Sequence, residues 1–133
     1  MYSPTFSSPS VSGMTVTTSY QTVEDKNGGV STSGTTLLGY GVSFLSSTLT
    51  STGYFTLGAP VSGQIKYIIG NGLGSTYGAL IYTNSTGVCF FSTTNFTNRI
   101  LAMASPGDVA ICVAVGSSGW VVHPGAGVTT VST

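Results

Sequence analysis

The chain has 133 residues, enough for one domain whose core needs no disulfide or metal to hold it. Only Glu24, Asp25, Lys26, Lys66, Arg99 and Asp108 carry formal charge, 5% of the chain with a net charge of zero, against about 25% in ordinary domains. Three cations form neither a basic stripe for nucleic acid nor a polybasic membrane anchor, and three acids with one His leave little for acid–base catalysis.

Hydroxyl groups replace the missing charge: 20 Ser and 21 Thr stand beside 19 Gly. The 41% hydrophobic and 11% aromatic content rules out a disordered chain. Lys, Glu and Arg are too scarce to write exposed helix faces, whereas Thr, Val, Tyr, Phe and Ile with Gly describe strands and turns. A folded chain of this mass exposes about 6,500 Å², so each charge serves roughly 1,000 Å², far below the norm for a free soluble domain. Much of the surface is therefore expected to be covered by other copies or by a partner.

In chain order, residues 1–13 are rich in Pro, Ser and Thr and read as an extended arm reaching about 40 Å when stretched. Met14, Val16 and Tyr20 alternate with hydroxyl residues, a strand suited to an edge of this domain or of a neighbour. Glu24, Asp25 and Lys26 next to Gly28 and Gly29 read as a solvated turn or hinge. Residues 14–35 thus form an arm strand and hinge, and 36–133 a β domain.

Within that domain, Tyr40, Val42 and Phe44 alternate with Gly41 and Ser43, residues 54–57 form a short run, and Ile65, Tyr67 and Ile69 alternate with Lys66 and Ile68. Gly70, Gly72 and Gly74 break the pattern. Apolar pieces recur at 79–82, 88–91 and 100–103, and Pro106-Gly107-Asp108 turns into Val109–Val115, the most apolar strand and a central one. Ser117-Ser118-Gly119 signals a hairpin returning as Trp120, Val121, Val122 and His123, with Pro124-Gly125 closing it. Regularly spaced strands with turns between them predict an all-β fold, an antiparallel sandwich or barrel-like domain.

Chemical motifs are sparse. A serine triad has only His123 as base and Asp25 or Asp108 to orient it, and no Gly-x-Ser-x-Gly elbow occurs. Cys89 and Cys112 lie in apolar runs without metal-ligand spacing and read as free buried thiols, a disulfide between them being open only if their strands are neighbours. The glycines at 70, 72 and 74 lack the helix and the downstream acid of a dinucleotide loop. No enzyme, metal or cofactor is expected. Residues 1–9 show neither a basic nor an apolar leader segment, so classical secretion is not expected.

Two segments carry a resemblance: residues 54–67 (YFTLGAPVSGQIKY), a strand ending before a proline turn and followed by a strand with a cation inside, and Gly107-Asp108 leading through an apolar strand and a short Ser/Gly turn to Trp120-Val121-Val122. Together with the stretch between them, some 60% of the chain resembles small bacteriophage capsid decoration (cement) or head-fibre proteins. The resemblance implies a non-enzymatic virion structural protein, made in the host cytoplasm and seated on the capsid exterior, often as a homotrimer. It would bridge and stabilise major capsid protein subunits. Tyr2, Phe6, Met14, Val16, Tyr20 and Trp120 are the expected capsid or subunit contacts, although Trp120, beside Val121 and Val122 in its strand, suits the core as well as a subunit interface. The alternative is a receptor- or carbohydrate-binding module of a fibre tip, stacking sugars on Trp120, Tyr77 or Tyr82.

Overall fold

The computed structural model describes residues 20–25, 35–47, 52–73, 78–83, 87–91 and 98–131. Eleven strands occupy them: β1 (Tyr20–Asp25), β2 (Thr35–Leu37), β3 (Gly41–Ser47), β4 (Gly53–Leu57), β5 (Ile65–Gly72), β6 (Ala79–Thr83), β7 (Cys89–Phe91), β8 (Ile100–Met103), β9 (Val109–Val115), β10 (Gly119–Pro124) and β11 (Val128–Val131). They form two sheets, a six-stranded sheet A in the order β1-β3-β5-β9-β10-β7 and a five-stranded sheet B in the order β11-β8-β6-β4-β2. The fold is an all-β sandwich.

Strand directions are mixed rather than antiparallel throughout. From β1 to β9 the chain changes sheet at every step, so neighbours in the β1-β3-β5 and β2-β4-β6-β8 runs are two apart in sequence, while β9 pairs with β5, four back. The β1-β3-β5 and β2-β4-β6 triplets pair in parallel, and β7 lies parallel to β10. A parallel pair needs a long crossover, and here the strand laid in the opposite sheet supplies it. The direction reverses at β8 and β9, which pair antiparallel with β6 and β5. The expected hairpin joins β9 to β10, and β9 is central in sheet A, as its composition predicts.

β1 belongs to this chain's own sheet, at its edge, and it contains Glu24 and Asp25, opposite Ser46 and Ser47 of β3. The turn expected at those residues is replaced by strand because an edge leaves one side free to hydrate charge. Residues 1–19, including Tyr2, Phe6, Met14 and Val16, lie outside the described residues, as does Tyr77.

The core gathers Leu45, Ile68, Ala110, Cys112, Trp120 and Val122 of sheet A against Leu37, Phe55, Leu57, Ile81, Leu101 and Met103 of sheet B. Trp120 ties the layers together. Its ring is fully buried and its indole N–H donates to Gly58 O, just beyond β4, at 3.1 Å.

Candidate interaction surface

Strand alternation gives sheet A two faces, and register decides which residues share each. The inward set runs through Ser43, Leu45, Lys66, Ile68, Ala110, Cys112, Ala114, Trp120 and Val122, all buried. The outward set is the more apolar one. The register places Tyr20, Val42, Tyr67, Ile111 and His123 in one row across the sheet. Thr22, Phe44, Ile69 and Val109 form a second row, and Ile65, Val113, Val121 and Phe91 a third.

The alternations Val42/Phe44 and Ile65/Tyr67/Ile69 are those that a half-buried strand ordinarily turns to its core. Here they point out, and the inward positions of the same strands hold Ser43 and Lys66. Six of the nine large hydrophobic side chains exposed among the described residues, Tyr20, Ile65, Tyr67, Val113, Val115 and Val121, stand on this face. Tyr20 is 72% exposed and meets Phe44 edge-on, with ring centroids 6.3 Å apart. Among the described side chains, formal charge reaches this side only at Glu24, toward the end of the edge strand.

The expected contacts therefore separate. Tyr20 is on the exposed face. Trp120 is 0% exposed, an interior side chain rather than a surface contact or a sugar platform, because β10 turns it inward against Phe90 and Ala114 in the same cross-strand row. Tyr82 is half-buried on the outer side of sheet B, stacked on Tyr54 at 6.1 Å and 29°.

Beneath the outward face lies a polar cluster that the sequence did not announce. Lys66 is fully buried, and its Nζ donates to Ser43 Oγ at 2.5 Å and to Tyr40 O at 3.1 Å. Ser43 donates in turn to Gln21 Oε1 at 2.5 Å, which also accepts from Leu38 N at 2.8 Å. The network joins β5, β3, β1 and the loop after β2. Burial pulls the Lys66 amine down to about 8, against a smaller opposing pull from Cys112, its cross-strand neighbour on β9. Burial pushes the Cys112 thiol up to about 12, with Lys66 partly offsetting it. A thiol so held is no nucleophile near neutrality.

Both cysteines are free: Cys112 is buried and faces in, while Cys89 is half-buried on β7, with β10 between their strands. Among the described residues, no three of His, Cys, Asp and Glu come together as a metal site would require, and no helix is long and apolar enough to cross a membrane. Asp108 acts within its turn, accepting from Ala104 N and Ser105 N, both at 2.9 Å. No family model and no curated protein matches the chain.

Proposed function

We propose that this chain is a non-enzymatic structural protein of a phage virion, a decoration subunit that cements the head by bridging major capsid protein subunits. The observation that carries the reading is the outward face of sheet A, apolar over most of its width and nearly free of charge. Soluble monomers rarely expose a contiguous apolar face of this extent, and one that is exposed marks an interaction site. The two segments that resemble capsid decoration proteins supply the kind of assembly that does the covering. Decoration strengthens a shell by mass action, since a subunit that binds only the assembled lattice at many equivalent positions shifts the balance away from rupture.

The test is stoichiometry on the particle. Purified heads should carry the protein in copy numbers matching capsomers, and a few copies per particle, confined to a fibre, would sink the reading. One observation favours a second reading, a glycan-binding fibre module: the stacked Tyr54–Tyr82 pair on the outer side of sheet B presents aromatic planes near the surface. A glycan-array signal abolished by Tyr82→Ala would support that module instead.

A further inference from the structure

The outward face of sheet A has the composition of a sandwich interior. Ile65, Tyr67, Ile111, Val113 and Val121 are the β-branched and aromatic residues that pack one sheet on another at about 10 Å. A surface of that chemistry fits a second sheet with the same corrugation. Six strands about 4.8 Å apart and about six residues long cover about 600 Å² in plan. Side-chain relief takes the accessible area toward the roughly 800 Å² that each partner gives to a stable interface.

Charge narrows the occupant. Partners of different sequence are usually selected by complementary charge patterns, and this face carries no pattern to read. A face whose described side chains carry one formal charge, Glu24 toward the end of the edge strand, meets its own copy with little like-charge repulsion, the condition for self-complementary contact. We infer that the outward face of sheet A is where copies of this chain meet, sheet A of one against sheet A of another. The inference names the occupant of the face on which the proposed function rests. It leaves the rest of the subunit, including the segment before Tyr20, to contact the capsid.

The experiment is light scattering on the full chain after gel filtration, at about 10–100 µM, a range in which an interface of this size is occupied. The expected mass is that of a dimer, twice 13.5 kDa. Val113→Asp should return the monomer, and Val113→Thr, which keeps strand propensity, should weaken association about tenfold or more. Emission from buried Trp120 reports whether each variant is folded. Val131→Asp, on β11 of sheet B, should leave the mass unchanged. A monomeric wild-type chain overturns the inference, as does an oligomer that survives both Val113 variants. A monomer that associates only after deletion of residues 1–19 would assign the face to the chain's own arm. A monomer that still binds heads would leave the proposed function standing while removing the second copy.

Discussion

Lys66 is anchored inside the sandwich by Ser43, Nζ to Oγ at 2.5 Å, and its other partner is also a neutral oxygen, the carbonyl of Tyr40. A buried ammonium held only by dipoles keeps much of its desolvation penalty. Its neutral neighbours Ser43 and Gln21 distribute the charge without cancelling it. The cluster therefore serves geometry, fixing edge strand β1 to β3 and β5, at some expense of stability.

Replacing the amine with an apolar chain of similar length should relieve that penalty. Lys66→Met is expected to raise unfolding free energy at pH 7 by about 1–3 kcal/mol, measured by urea denaturation. A loss of similar size would show that the amine is better solvated by its partners than its burial implies.

The same burial sets a pH signature. With its folded value lowered from 10.5 to about 8, Lys66 is neutral in the folded state between those limits while the unfolded chain still holds the proton, so stability rises with pH across that window. Cys112, raised from 9.0 to about 12, acts in the opposite sense, because above pH 9 the unfolded thiol ionises and the folded one does not. The Lys66 gain thus stands alone between about pH 8 and 9, where it should reach about 1 kcal/mol. Lys66→Met should flatten that limb, and Cys112→Ala should extend the rise toward pH 10.5. A wild-type curve that falls from pH 8 to 9 contradicts this assignment.

Trp120→Ala should cost about 3–5 kcal/mol through the cavity it leaves. Trp120→Phe should cost less, while still stranding the Gly58 carbonyl that the indole satisfies. Thermal unfolding with circular dichroism distinguishes this core role from a surface one, for which both variants would melt like the parent.

Gly78 and Gly63 form a matched pair. Gly78 sits at φ +60° with the Met103 carbonyl oxygen in the space a Cβ would need, and Gly63 at φ +88° has nothing within 4 Å. Gly78→Ala should cost about 3 kcal/mol or more and Gly63→Ala about 1 kcal/mol. Equal losses would show that backbone conformation, rather than the close approach of β8, decides both.

Strand positions were legible because period-two alternation and Gly/Pro turns mark them directly: 54–57, Ile65 to Ile69, Val109–Val115 and the hairpin to Trp120 all stand where the pattern places them. Strand direction was not, since parallel and antiparallel strands share that period, and only pairing reveals the weave between sheets. β2 and β11 escaped because Thr35–Leu37 and Val128–Val131 are short and rich in Thr, resembling the loops around them. The interaction surface was half legible. Scarce charge predicts a covered surface, but which side of each strand faces out depends on sheet pairing, and Lys66 in an alternating strand reads as the solvent side until its burial is seen. Trp120 carries no signal that separates core from contact, because both uses favour an aromatic ring among valines.

A subunit with three cations and three acids holds a capsid through a nearly uncharged interface, and salt tests that contact most directly. Retention of the protein on purified heads should stay constant or tighten between about 50 mM and about 1 M NaCl, since screening has little charge to act on and concentrated salt does not weaken apolar contact. Progressive stripping across that range, with binding falling tenfold or more, would mean that ion pairs hold the subunit in place and would contradict the low-charge capsid contact proposed for it.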